Sequence, residues 1–424
     1  MKKLQVFIEI NGVQTYAGAI VGNSPHDAQF SYAEEYIAAG YPAISISFPV
    51  SDISFSAERT KNFFEGLLPE GFARKSVANW IHASEEDYLT ILEVLGAECL
   101  GAIRISDGSH DTGSYEALSI EEVKALAREG VSKSTEMVTE AHLSLTGASG
   151  KVGLYYDQDH DRWFKPKGNA PSTHIVKQSH VRLSNIVTNE QLSLAAASRL
   201  GIQTPESFII NTGMAGEDEV LFATKRYDRL IPEKAATIQG LARPLRLHQE
   251  DFAQALGISS FEKYEKGDER YLPRIFSILR NYAENPIEDQ LKLWDMLIYD
   301  YLVGNTDNHI KNISLFYSEN LRHIKLAPAY DIISTVIYQG SSRDLAIGIG
   351  GERNIDHVTR DHFAVAAAEA GLSRKIALRH FDAMADGFEK ALKEAADQLA
   401  EMGYETVPNI KEKILKNGGY TQLR

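Results

Sequence analysis

Val303-Gly304-Asn305-Thr306-Asp307-Asn308-His309-Ile310-Lys311-Asn312, followed by Ala329-Tyr330-Asp331, is the stretch on which the reading of this chain turns. It holds an aspartate, an asparagine five positions on, and a second aspartate beyond a short apolar interval. Phosphoryl-transfer enzymes use that order and spacing for one proton acceptor and two metal ligands at a nucleotide's phosphates. Their barrier falls through positioning and neutralisation of charge, with little covalent help from the protein. On this reading Asp307 accepts or orients the proton of the attacking hydroxyl, while Asn312 and Asp331 offer oxygens to Mg²⁺ on the phosphates. The bare pattern also recurs in ordinary turns, which favour Asn, Asp and Gly for their backbone freedom.

Working outward, Leu291, Trp294, Leu297, Ile298, Tyr301 and Leu302 recur at helical spacing, predicting a buried helix that delivers the loop at Gly304. Ile313–Tyr317 and Arg322–Leu326 read as two strands joined by a polar turn, a hairpin that would return Asp331 to Asn312. From about residue 240 onward the apolar faces are almost all helical, and the charged run Glu389–Glu401 reads as a solvated helix face.

The N-terminal region reads differently. Leu4–Ile10 and Val13–Ile20 flank Asn11-Gly12, a two-residue hairpin signal, and Ala43–Phe48 alternates like a further strand. Helices are expected around Phe63–Leu68 and over Tyr88–Leu95, with a returning strand over Leu100–Ile105 and a polar linker over Ser106–Tyr115. At 424 residues there is room for two or three domains. The single cysteine, Cys99, excludes an internal disulfide or a thiolate zinc cluster, and with no leader or membrane-spanning run the expected home is the cytoplasm. A net charge of −14 argues against non-specific nucleic-acid binding.

Three further stretches carry polar chemistry. Ser144-Leu145-Thr146-Gly147-Ala148-Ser149-Gly150-Lys151 is a glycine-containing turn, not a Walker A loop, since Leu145 takes the place of the first glycine and Val152 follows the lysine. It could bring N–H groups to phosphates, or be a hairpin with no ligand. Lys177, on a strand-like Thr173–Lys177, is placed to reach phosphates or is a surface lysine. Thr188-Asn189-Glu190-Gln191 reads as a capping box opening a helix, and Glu190 is either a dipole-matched acid or the ion-pair partner of a phosphate-binding lysine.

Together with Tyr330-Asp331-Ile332-Ile333-Ser334, the stretch Gly304–Asn312 closely resembles the HipA toxin kinases, bacterial serine/threonine kinases of toxin–antitoxin pairs. The resemblance extends through Asn62–Pro69, Leu95-Gly96, Gly101-Ala102, Ser144–Lys151, Thr173–Lys177, Asn189-Glu190, Arg226–Arg229 and Gln249–Asp251. It implies Asp307 as proton acceptor, with His309, Ile310, Lys311, Asn312, Tyr330 and Asp331 at ATP and Mg²⁺. It implies that Thr146, Gly147, Ala148, Ser149, Gly150 and Lys151 close over ATP, that Lys177 holds phosphates, and that Lys225, Arg226 and Tyr227 lie along the adenine. Ser144 corresponds to an autophosphorylation site, and Thr146 is a second hydroxyl for that role. Lys225 departs from the family's usual acid, which leaves adenine contacts to the main chain. The implied partners are a HipB-like helix-turn-helix antitoxin and, as substrate, an aminoacyl-tRNA synthetase such as glutamyl-tRNA synthetase.

The fold expected is α+β, two-lobed and protein-kinase-like. It has a β-rich N-terminal subdomain over 1–106, a nucleotide-binding lobe over 107–238, and an all-helical C-terminal lobe over 239–424 carrying the catalytic loops. Two other functions fit the same residues: a weakly catalytic module co-repressing with a DNA-binding partner, and a small-molecule kinase with the same Asp/Asn/Asp logic.

Overall fold

The computed structural model describes residues 1–106, 112–129, 151–178, 183–211 and 220–423. The chain forms two compact units, each assembled from separate segments. The first takes Met1–His180, Ile210–Ser260 and Phe316–His323; the second takes Val181–Ile209, Phe261–Leu315 and Ile324–Arg424. The units therefore interleave along the sequence and do not divide at residue 238.

In the first unit, the strands Gln29–Tyr32, Val13–Gly22, Lys2–Ile10 and Ile103–Ser106 lie side by side in that order. The central hairpin turns at Asn11 and Gly12 with φ of 49° and 77°, the paired positive angles that a two-residue turn needs to match strand twist. One face packs on a cluster of Phe30, Phe48, Phe55, Phe63 and Phe64, all buried. Each such ring contributes about 1.5–3 kcal/mol through removal from water. Helices Ala57–Glu65 and Tyr88–Leu95 end at Gly66 and Gly96. A second sheet runs Ser114–Leu118, Arg162–Lys167, Lys151–Asp157, His174–Gln178 and Leu221–Lys225.

The strand expected over 43–48 is absent, and the segment is a series of turns. Its alternation has another cause. Ser45 and Ser47 are buried with their apolar neighbours, and the Glu250 carboxylate accepts from Ser45 Oγ at 2.5 Å and from the Ile46 N–H at 3.0 Å. A side chain thus takes the hydrogen bonds that a neighbouring strand would have supplied.

The second unit is built on the helix Pro286–Val303, which is buried over most of its length. Trp294 meets Phe363 edge-on and its Nε1 donates to the Ala377 carbonyl at 3.0 Å, anchoring helices Arg360–Glu369 and Arg374–Glu401. Tyr299 donates to the Ser193 carbonyl at 2.6 Å, anchoring helix Ile186–Arg199. The C-terminal part is not all-helical as expected. Beside the expected strands, found at Ser314–Tyr317 and Ile324–Leu326, Asp344–Ile349 pairs with Glu352–Asn354. The latter hairpin is too short to give a clear period-2 signal among helices.

Gly304 ends the central helix at φ 79°, with its N–H donating to the Asp300 and Tyr301 carbonyls. A Cβ there would lie 2.3 Å from Val336 Cγ2. Gly304→Ala is therefore expected to destabilise the protein by about 1–3 kcal/mol through backbone strain and overpacking. The check is the urea-unfolding midpoint, and an unchanged midpoint would mean the loop entry relaxes at no cost.

Candidate active site

The loop after Gly304 is held by a carboxylate that the sequence reading missed. Asp300 is buried in the last turns of the helix. Its Oδ1 accepts from Asn305 Nδ2 at 2.8 Å and its Oδ2 from Asn308 Nδ2 at 2.5 Å. Asn305 Oδ1 in turn accepts the Asp307 N–H at 3.2 Å. Thr306 is pinned by Thr335, Oγ1 to Oγ1 at 2.7 Å, and its hydroxyl also lies 3.1 Å from the Ser342 carbonyl. The result is that Thr306 and Asn308 are buried while Asp307 between them is exposed. A charged residue in an otherwise apolar helix end was the one signal in the sequence for Asp300.

Burial pushes the Asp300 carboxyl up from 3.8 to about 7, with the Asn305 hydrogen bond opposing it. A carboxyl raised in the folded state favours folding most when protonated. Its contribution is full on the acid side of 3.8 and is lost as pH rises through about 7. Asp300→Asn faces one amide NH₂ with another, leaving a buried donor unpaired at a cost of about 1–3 kcal/mol. The variant's stability deficit is expected to be largest at acid pH and to narrow toward pH 7. Urea midpoints against pH for both proteins test this, and parallel curves would refute it.

Asn312 closes the loop. Its N–H donates to the His309 carbonyl at 2.8 Å. Its Nδ2 donates to the Asp307 carbonyl at 3.0 Å, so Oδ1 is the atom it can offer a hard cation. The predicted return of the chain is present. Ala327 N–H donates to the Ser314 carbonyl at 2.9 Å, and the Tyr330 hydroxyl contacts Ser314 Oγ at 2.6 Å and the Lys311 carbonyl at 3.1 Å. Asp331 follows directly with φ 59°, a left-handed conformation that aspartate tolerates and that functional sites retain at a cost of about 1–3 kcal/mol. His309, Ile310 and Lys311 are buried. The His309 ring meets Tyr264 edge-on at 5.2 Å. Tyr264, which no sequence pattern marked, donates from its hydroxyl to Asp307 Oδ1 at 2.7 Å.

The other expected residues that are described belong to the first unit, Glu190 excepted. Lys177 is buried on its strand, with its Nζ 5.5 Å from the centre of the Phe222 ring. Lys151 is its direct cross-strand partner, so the two lysines share one sheet face. Lys225 is exposed at the end of its strand. Tyr227 packs edge-on against Phe316. The side chain of Arg226 turns inward. Its guanidinium is buried, bonded to Glu98, Asp228, Ser172 Oγ and the Cys99 carbonyl. Any adenine-binding part for this segment thus rests on backbone. Glu190 lies in the second unit, buried in helix Ile186–Arg199. That helix starts earlier than the expected capping box, because Asn185 at φ 59° turns the chain into it. Ser144, Thr146, Gly147, Ala148, Ser149 and Gly150 lie outside the described residues.

Comparison with known proteins bears on the family and the fold. A family model described as the HipA-like C-terminal domain matches residues 143–392, and one described as the HipA N-terminal domain matches residues 8–106. A protein of Sinorhizobium fredii named as a kinase is 27% identical over 399 residues, 91% of each chain. The serine/threonine-protein kinase toxin HipA of Shewanella oneidensis is 24% identical over 384 residues, 86% of this chain and 83% of that one. The fold also matches HipA in a solved complex of Shewanella oneidensis HipA, HipB and operator DNA. The TM-score is 0.80 at 22% identity, covering 99% of this chain and 97% of that one. Among the described residues no helix is long and apolar enough to cross a membrane.

Proposed function

Since the chain belongs to the HipA family of toxin kinases, we propose that it is an ATP-dependent serine/threonine protein kinase, the toxin of a toxin–antitoxin pair. The observation that carries this reading is the loop geometry: an exposed Asp307 on a buried, multiply bonded loop, with Asn312 and the strained Asp331 brought back to it through Tyr330. Asp307 receives the proton as the acceptor hydroxyl attacks. Asn312 and Asp331 are oxygen donors, the hard set that Mg²⁺ accepts when phosphates and water fill its remaining positions. MgATP, when bound, supplies the transferable phosphoryl group and the charge neutralisation around it. By kinship, Lys177 holds phosphates and Lys151 belongs to the loop that closes over ATP.

The finer parts of the proposal rest on kinship. The substrate is an aminoacyl-tRNA synthetase, whose modification stops translation and growth. Ser144 or Thr146 is an autophosphorylation site, where a phosphate would bring nearly two negative charges to a site meant for ATP phosphates and silence it. A HipB-like helix-turn-helix antitoxin binds the kinase and carries most of the DNA contact. Phosphoproteomics after brief induction tests the whole reading, wild type against Asp307→Asn. Phosphosites on a synthetase and in the 144–151 loop should appear with the wild type alone. Indistinguishable phosphoproteomes would remove the kinase assignment.

A further inference from the structure

The hydroxyl of Tyr264 sits 2.7 Å from Asp307 Oδ1, and the way its segment is held makes this a built contact. Tyr264 lies between Lys263 and Glu265, and it is Glu265 that anchors them. The Glu265 carboxylate is buried and accepts the N–H groups of Tyr271 and Gly348, each at 2.7 Å. Its carbonyl accepts from Arg353 Nη1 at 2.6 Å. Its N–H donates to the Ala346 carbonyl at 3.0 Å. Ala346 is also the residue whose own N–H donates to the Thr306 carbonyl at 3.0 Å. One strand residue therefore holds both the segment that presents Tyr264 and the loop that presents Asp307. The edge-on contact between Tyr264 and His309 fixes the phenol's plane as well.

An exposed carboxylate rotates about its Cβ–Cγ bond unless something holds it, even on a buried loop. A proton acceptor must present one oxygen in line with the acceptor hydroxyl, so that rotation has to be stopped before the reaction. We propose that Tyr264 is a positioning residue for phosphoryl transfer: its hydroxyl, donating to Oδ1, sets the orientation in which the Asp307 carboxylate meets the acceptor hydroxyl. The inference rests on the reading of Asp307 as the proton acceptor. Tyr264 neither gives nor takes a proton in the step; the acceptor's proton passes to Asp307 as the new P–O bond forms and the bond from the γ-phosphorus to the ADP oxygen breaks, ADP being the leaving group.

The test uses the full-length protein, radiolabelled MgATP and a bacterial soluble-protein fraction as acceptor. Tyr264→Phe is expected to lower kcat by about tenfold to a hundredfold, the range for a hydrogen bond to a charged group, with KM for ATP within about twofold of wild type. A general loss of structure would move both. Tyr264→4-aminophenylalanine keeps a donor at the same place and should restore most of the rate. Tyr264→4-methoxyphenylalanine keeps the oxygen but cannot donate and should not. This pair decides the matter even where Tyr264→Phe folds poorly. An unchanged kcat in Tyr264→Phe, or equal rates for the two analogues, overturns the inference. A rise in rate also overturns it, since it would place the phenol where the substrate hydroxyl belongs. Asp307→Asn is run beside them. If it stays active the reading of Asp307 as the proton acceptor fails, whereas an inactive Asp307→Asn beside a fully active Tyr264→Phe rejects the positioning role alone.

Discussion

Asp307→Asn is expected to lower phosphoryl transfer by about 10²- to 10⁴-fold, the usual contribution of a placed general base, while the urea midpoint stays near that of wild type. The split follows from where the residue sits. The neighbours of Asp307 are buried and the fixed points of the loop lie elsewhere: Asp300 on Asn305 and Asn308, and Thr335 on Thr306. The main chain of Asp307 also takes part, accepting from the N–H of His309 and from Asn312 Nδ2, and substitution leaves those bonds in place. Asparagine keeps the shape and can still accept from Tyr264, but it cannot take the proton. Nucleotide affinity should accordingly change little. Full activity in the variant would mean that the acceptor hydroxyl loses its proton by another route.

Glu98→Gln is expected to have the largest effect on stability, a loss of about 3–5 kcal/mol. Glu98 is fully buried and receives three arginines. Arg229 Nη2 lies 2.8 Å and Arg226 Nη1 3.2 Å from Oε1, and Arg246 Nη2 lies 2.7 Å from Oε2. Burial acts to raise its carboxyl, yet Arg229, Arg246 and Arg226 together hold it well below the usual carboxylate range. Asp228 and Glu9 supply the other two negative charges, so three carboxylates face three buried guanidiniums and the half-buried one of Arg243, which pairs with Glu9. Neutralising one leaves a buried cation uncompensated, and the low dielectric makes that expensive. Glu9 and Glu98 come from the part matched by the N-terminal family model, Asp228 and the arginines from the part matched by the C-terminal one. The network therefore ties the two matched regions together inside one compact unit. The variant should unfold at markedly lower urea and be cut more readily by protease. A midpoint equal to wild type would show that the arginines find other counter-charges.

Much of this was legible in the residues themselves. The helix leading to Gly304 showed in apolar residues recurring at helical spacing, and the turn at Asn11-Gly12 in two residues that adopt positive φ without strain. The Asp307, Asn312 and Asp331 set showed in its spacing, and Tyr330 delivers the return of the chain that the spacing required. The segment 43–48 misled because alternation of serine with apolar residues looks the same whether the serines face water or a buried carboxylate. The burial of Arg226 was not legible, because a surface-type residue gives no sign that acids far along the chain have drawn it into the core.

What the amino-acid order determined by itself is therefore local: which segments turn, which coil, and which polar side chains are presented on one short loop, all properties of residues a few positions apart. Only the tertiary structure decided that Tyr264 would meet Asp307 across 43 positions, that Arg226 would meet Glu98 across 128, and that segments 316–323 and 181–209 would each join the unit they did not neighbour in sequence. Contacts of that range have no period and no preferred spacing. They form because packing brings distant segments together, and a buried charge such as that of Arg226 must then be met by the polar groups in reach.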